Sequence, residues 1–409
     1  MLSRYPRSIL VVGALAVCVF VTTRCMNNND VQAVVIKNAN GAAFAGSASC
    51  VSCHKSISDS HVHTAHFLTS QPAAEKYIKG SFEPGKNKYA FNSSVAVAME
   101  KRNDGLYQVE YFGDTEKKAR RFDMIIGSGT MGQSYLHWQD NNLLQLPITW
   151  FAAANTWSNS PGFPDKVVFN RLITSRCLEC HTSYMKSISE PGKEPESFDK
   201  QQIMYGVDCE KCHGPAAEHV AFQLKNPQEK KAKFIVNPSS LTRQQNLDLC
   251  ASCHGGRLQK IKPSFSFLVG DKLSDFFMVD TVAPDPSRID VHGNQYGLLR
   301  ASKCFRMSDV MTCNTCHNTH QTEKGQTALF SQRCMSCHMG EHNTPCKLQA
   351  TMGDVINTNC IDCHMPVQPS KAIAVQLEGN PTPLAALIRS HYISIYPQET
   401  QKVLGKMKH

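Results

Sequence analysis

In the stretch Cys313-Asn314-Thr315-Cys316-His317-Asn318-Thr319-His320, two cysteines stand three apart, with a histidine directly after the second and another three residues later. Three residues are close to one helical turn, so both thiols lie on one side of it and can bond to the edge of a single flat ring. The chemistry this spacing serves is covalent haem attachment: two thioethers hold the porphyrin, and His317 beneath it supplies one axial iron ligand. His320 comes only one turn later, on the same side of that ring. Reaching the far face of its own haem would be awkward, so His320 is expected to ligate a neighbouring haem and to hold two haems close enough for electrons to hop between them.

The motif recurs seven times. The copies are numbered here as sites 1 to 7: Cys50/Cys53/His54, Cys177/Cys180/His181, Cys209/Cys212/His213, Cys250/Cys253/His254, Cys313/Cys316/His317, Cys334/Cys337/His338 and Cys360/Cys363/His364. With 18 Cys and 17 His in 409 residues, chance would give roughly 0.03 copies, so the spacing is a signal. Structural zinc also uses paired Cys-x-x-Cys, but it does not need a histidine after every second cysteine. Seven covalent haem c groups, with iron, are the expected cofactors.

Such cofactors change what the rest of the chain must do. Hydrophobic residues make up 41%, low for a large side-chain core, but seven porphyrins would supply apolar plates for the chain to wrap. The expected fold class is therefore mainly α with long loops wrapped around the haems, with a small β-rich insertion between the first and second sites. The formal charge is +9; a ferric haem with ionised propionates and neutral histidines adds about −1, so seven bring the total to roughly +2. Nucleic acid is excluded as a partner on this balance, leaving redox proteins as the expected donor and acceptor.

Four segments are expected along the chain. Residues 1–25 read as a signal peptide: Arg4 and Arg7 precede an apolar run from Ile9 to Val21 that is short for a membrane span. Haem attachment outside the cytoplasm calls for such export, to the periplasm or cell envelope. Cys25 is followed by the polar tether Asn27-Asn28-Asn29-Asp30, which suits a lipid anchor, whereas Arg24 is a poor fit to that signal; lipidation and ordinary cleavage nearby both remain open. Residues 26–85 form a first haem segment. In 86–170 no motif occurs; Val95, Val97 and Met99 alternate, Asn103-Asp104-Gly105 turns the chain, and Tyr107, Val109 and Tyr111 alternate back, a β-hairpin. Met124–Ile126, Leu143–Leu146 and Ile148–Phe151 are further short apolar runs, and the three tryptophans there read as packing residues. Residues 171–409 hold the other six sites and a partly helical tail from Lys371.

Ten histidines lie outside the motifs, enough for seven second axial ligands. His66 and His63, close to site 1, His219 beyond Gly214-Pro215, His292, His320 and His391 are the candidates. His137 is open between ligand and core residue, and His61 and His409 read as solvated. Cys304 and Cys346 belong to no motif; two spare thiols in an exported protein are expected to form a disulfide.

Several stretches resemble periplasmic multihaem cytochromes c: Ala45-Gly46-Ser47, Ser134-Tyr135-Leu136, Leu144-Gln145-Leu146-Pro147, Cys209-Glu210-Lys211-Cys212-His213-Gly214-Pro215, Ser302-Lys303-Cys304-Phe305-Arg306 and Cys363-His364-Met365-Pro366. The group includes the tetrahaem electron acceptor of hydroxylamine oxidoreductase and, more distantly, that enzyme and the octahaem nitrite and tetrathionate reductases. The resemblance implies a haem-wrapped body with bis-histidine haems that pass electrons, sometimes with one open haem that does chemistry. This chain has no Cys-x-x-Cys-Lys site and has seven motifs rather than eight. The expected function is electron transfer in a respiratory chain. The alternative is an oxidoreductase acting on hydroxylamine, nitrite or tetrathionate at a five-coordinate haem.

Overall fold

The computed structural model describes residues 34–190, 192–280, 285–341 and 344–407. The chain divides into an N-terminal unit, Met1–Ile36, and a body, Lys37–His409. The leader, Cys18, Cys25, the Asn27–Asp30 tether, His342 and His409 lie outside the described residues. No described helix is long and apolar enough to cross a membrane.

The alternating stretch folds as its pattern dictates. Strands Val95–Arg102 and Gly105–Phe112 pair antiparallel, with Arg102 opposite Gly105. They form the centre of a four-stranded sheet flanked by Lys88–Ala90 and Thr115–Arg121. A seven-stranded sheet built around Gly132–Gln139 lies against it. Val97, Met99, Ile125, Tyr135, Leu146 and Ile148 are buried between them, and the Phe122 and Tyr135 rings stack at 4.5 Å. Gln108, fully buried, staples the sheets: its Nε2 donates to the Ile148 carbonyl (2.6 Å) and its Oε1 accepts from the Ile148 amide (3.0 Å). Trp157 packs in this core with its indole N–H donating to the Ser81 carbonyl.

The mainly helical class expected from the sequence is not what forms. Helix makes up about 31% of the chain and strand 25%, and the described residues contain five antiparallel sheets. Three of these lie beyond the expected insertion, one of them the short pair Gln259–Lys260 and Phe277–Met278 after site 4. Thr182–Ser187 pairs with Phe198–Tyr205 directly after site 2, and Val367–Val375 pairs with Leu384–Arg389 directly after site 7. The tail from Lys371, expected to be partly helical, carries the helix Pro397–Met407 after the second strand of that hairpin. The cause is local: most helices that carry motifs are short and stop at the motif histidine, so the next segment must find backbone partners elsewhere and finds them in hairpins.

Candidate haem-attachment sites

Sites 2, 3, 4 and 7 each end a helix at the motif histidine: Ser175–His181, Cys209–His213, Arg243–His254 and Ile361–His364. Site 1 lies within Ala48–His61, where the backbone leaves helical geometry at His54 itself. Site 5 occupies one 3₁₀ turn, Cys313–Thr315, and site 6 follows from Thr327–Met335 into the wider turn Ser336–Glu341. The helix for site 4 begins with a reciprocal cap between Thr242 and Gln245.

The two attachment cysteines of site 1 are covered unequally. Cys50 is half-buried and meets Cys209, whereas Cys53 is exposed, with Ser52 Oγ 3.9 Å from its sulfur. The reason is the position of the helix: Ala48–His61 buries none of its residues, so it rests on the surface and reaches the body along its Cys50 side. Cys177 and Cys337 are exposed as well. The motif spacing reports which residues can bond one porphyrin edge, but not how much polypeptide covers that edge.

Each ligating imidazole needs one nitrogen held and the other free. His213 Nδ1 donates to the Val236 carbonyl (2.9 Å) and His364 Nδ1 to the Ser394 carbonyl (2.8 Å). His181 Nδ1 pairs with Thr69 Oγ1 (2.8 Å), His254 Nδ1 with Gln295 Oε1 (3.1 Å) and His338 Nδ1 with Thr344 Oγ1 (3.2 Å). In every case Nε2 is left for a metal.

Three motif histidines face a second imidazole. His213 and His320 lie 6.1 Å apart between ring centroids with planes 18° apart, His317 and His391 6.1 Å with 29°, and His254 and His66 6.1 Å with 63°. A metal between two imidazoles, with bonds of about 2 Å on each side, puts the centroids roughly 6 Å apart once half of each ring is added, so the residues present fit a six-coordinate haem iron. Among the described residues, no group of three or more His, Cys, Asp or Glu is gathered as a chelating cluster; the donors come in opposed pairs. Burial, with His254 close by, pushes His66 down to about 4, and burial, with His317 close by, pushes His391 down to about 4. Both are neutral near pH 7, with a lone pair to give. Burial also lowers His181, with His292 among the neighbours that add to it.

The residues 155–214, which contain sites 2 and 3, match the family model described as cytochrome c554 and c-prime. A curated relative, the C-type polyheme cytochrome OmcC of Geobacter sulfurreducens, is 25% identical over 179 residues, or 38% of this chain; the match spans only 21% of that longer protein. The crystal structure of the outer cell wall cytochrome OcwA superposes with a TM-score of 0.52 at 16% identity, covering 88% of this chain and 81% of that one. These matches, together with the seven motifs, support a likeness to multihaem c-type cytochromes. The likeness to OcwA is one of fold, strands included, and agrees with the correction made above.

Several devices in this chain hold the candidate ligand histidines. Ser302, fully buried, donates to the His391 carbonyl (3.3 Å) and accepts from the Ile393 amide (2.8 Å). Asp290 accepts from the His292 amide (2.7 Å) and Ser370 Oγ (2.9 Å). His66 is tied through its carbonyl to the Val207 amide (2.8 Å), and Ser70 Oγ accepts from the Gly206 amide (2.8 Å). Gly206 has φ +67°, and a Cβ there would clash with the Phe67 carbonyl oxygen. Gly206→Ala is therefore expected to cost roughly 1–3 kcal/mol in strain and overpacking. Guanidinium unfolding should show that loss, together with weaker holding of His66; an unchanged midpoint would contradict it.

The remaining candidates are placed differently. His219 Nδ1 donates to the Lys233 carbonyl (2.9 Å), and its helix, Ala217–Lys225, begins with the Ala217 amide bonded to the Ala43 carbonyl just ahead of site 1. His63 is exposed and faces no motif histidine; its carbonyl accepts from Thr322 Oγ1 (3.0 Å). His137 is paired with Asp123 (3.0 Å) in the β region. His61, expected in solvent, has a side chain only 11% exposed, lies 3.7 Å from Asp208, and sits 6.4 Å from the His320 ring. The sequence around His61 is polar, and its burial comes from partners far along the chain. Cys304 and Cys346 are both free thiols rather than a disulfide. Cys304 lies near Cys337 and Cys316, and Cys346 near Cys363, so the two belong to different neighbourhoods.

Proposed function

We propose that this chain is an exported cytochrome that carries seven haem c groups, mostly with two histidine ligands each, and passes electrons between redox proteins of a respiratory chain. One observation carries the reading: thiols from different motifs meet in pairs, and three motif imidazoles each face a histidine from outside the motifs. The Cys50 sulfur lies beside that of Cys209, Cys180 beside Cys253, Cys250 beside Cys313, and Cys334 beside Cys360. Because these sulfurs sit at porphyrin edges, their contacts bring the edges of successive haems together. Haem iron supplies one-electron oxidation and reduction at each site.

The chain's own residues set the arrangement. His66, His320 and His391 serve the irons at sites 4, 3 and 5, and His292 the iron at site 2. His219 is assigned to site 1, because its helix is anchored beside the segment that leads into that site. Glu210, buried within the site 3 motif, accepts from the Ala45 and Gly46 amides (both 2.8 Å) and from Ala216 (2.7 Å), and so clamps site 1 to site 3. Neutral imidazoles on both faces, without the methionine that raises potential in other cytochromes c, imply low potentials. The envelope location rests on the need for haem attachment outside the cytoplasm and on the outer-cell-wall and polyheme relatives.

The intact mass of purified protein is expected to equal the processed chain plus seven haems, and its ferric form to be essentially all low-spin by electron paramagnetic resonance. Fewer haems than motifs would overturn the heptahaem reading. A stoichiometric high-spin iron that responds to hydroxylamine, nitrite or tetrathionate with steady turnover would replace the carrier by an oxidoreductase.

A further inference from the structure

The attachment sites do not follow one another in space as they do in sequence. Site 1 meets site 3 through Cys50 and Cys209 and through the Glu210 clamp. Site 6 meets site 7 through Cys334 and Cys360, with the Cys360 amide donating to Ser331 Oγ (3.0 Å). Sites 5 and 6 are joined by Arg333, whose Nη1 donates to the Cys316 carbonyl (2.7 Å).

Site 4 has three neighbours. Toward site 5, Cys250 meets Cys313 and Asn246 bonds with Asn314 (3.4 Å). Toward site 2, Cys253 meets Cys180 and also donates to the Glu179 carbonyl (3.8 Å), while Arg176 Nη2 donates to the Ser252 carbonyl (2.8 Å). Toward site 3, Cys212 lies near both Cys253 and Cys250. A cavity of about 20 Å³ marks the meeting point, lined by Arg176 and Glu179 of site 2, Lys211 of site 3, and Ser252 and Cys253 of site 4. Glu179 is buried there, its Oε1 accepting from the Phe265 amide (2.8 Å), which fixes the junction to the loop behind it.

We propose that site 4 is a three-way branch point, joined to sites 3 and 5 on a main line that runs 1–3–4–5–6–7, and that site 2 is a spur reached through site 4. The cytochrome then has three ends rather than two. Each hop oxidises one site by one electron and reduces the next by one, and the neutral imidazoles require no proton to accompany it. Cys177 is exposed at the spur, so site 2 is a side port for a second one-electron partner. This inference rests on the seven-haem reading above.

The test changes the spur and asks which neighbours notice. In holoprotein, His292→Met should raise the potential of site 2, since methionine replaces a histidine ligand. With dithionite as reductant, site 2 then fills earlier and its added charge depresses each adjacent site. Potentiometric titration followed by electron paramagnetic resonance should show one further signal displaced, and it should be the signal that His66→Met marks as site 4. Displacement of two signals, or of one that His66→Met does not mark, overturns the branch. Cys177→Ser with Cys180→Ser gives a second reading, with one haem fewer by mass and the same single signal shifted. A wild-type mass short of seven haems would sink the heptahaem reading instead, independently of these shifts.

Discussion

Replacing His320 by alanine is expected to open one iron in seven, and to open the one held at Cys209 and Cys212 rather than the one held at Cys313 and Cys316. The reason is placement: the His320 ring stands 6.1 Å from His213 and nearly parallel to it, while His317 already faces His391. The variant's ferric spectrum should gain a high-spin signal of about one iron that the parent lacks, and added imidazole should abolish it by filling the vacated face. Combining His320→Ala with Cys209→Ser and Cys212→Ser should remove that signal along with the haem. If the signal survives this combination, or if His320→Ala leaves every iron low-spin, the pairing is wrong. The same variant shows what an oxidoreductase would need, because an iron with imidazole on both faces offers a substrate no vacant position.

The second large effect concerns the loop that carries His320. Glu323, with a side chain only 4% exposed, is gripped by both Arg333 nitrogens and accepts from the Asn318 amide (3.0 Å), whose side chain in turn holds the His320 amide (3.0 Å). Hydrogen bonding to Arg333 holds the Glu323 carboxyl down at about 2, against an ordinary 4.5. Because the folded value is the lower one, the stabilisation is complete above about pH 4.5 and is lost as pH falls toward 2, with no change between pH 6 and 8; a shift of this size is worth about 3 kcal/mol. Glu323→Gln should forfeit about that amount in guanidinium unfolding at pH 7, because Arg333 is left half-buried without its counter-charge. Its stability should also depend less on pH in the acid range. An acid limb that superimposes on that of the parent protein would refute the clamp.

What the sequence could reveal depended on whether the signal was local. The seven motifs were legible because each is complete within five residues. The hairpin centred on Asn103-Asp104-Gly105 was legible because alternation and turn chemistry both lie within the hairpin itself. The other hairpins were hidden for specific reasons. Phe198–Tyr205 carries its four polar residues in one run and only its first residue is fully buried, so no alternation marks it. Val367–Val375 contains Pro369, which argues against a strand; the structure accommodates it where the pairing register shifts between Pro369 and Ala374. His61 was misread because Asp208 and His320, which flank it, are remote in sequence. The contrast between Cys50 and the exposed Cys53 was equally out of reach, since it turns on Cys209, far along the chain. The absence of a Cys304–Cys346 bridge had the same origin: spacing along the chain says nothing of the separate motifs that each cysteine adjoins.

The facing histidines also differ in their direction along the chain, and that bears on how the molecule can be assembled. His66 precedes its counterpart His254, whereas His320 and His391 come after His213 and His317. A polypeptide delivered amino end first presents both imidazoles of site 4 as soon as His254 emerges, so the junction can close while the remaining chain is still in transit. Site 3 must wait for the loop at His320, and site 5 for a residue close to the carboxyl end. On the proposed ligand set, a nascent chain halted before His391 would already carry all seven motifs and still lack the histidine that faces His317, so ligand closure at site 5 would follow covalent attachment.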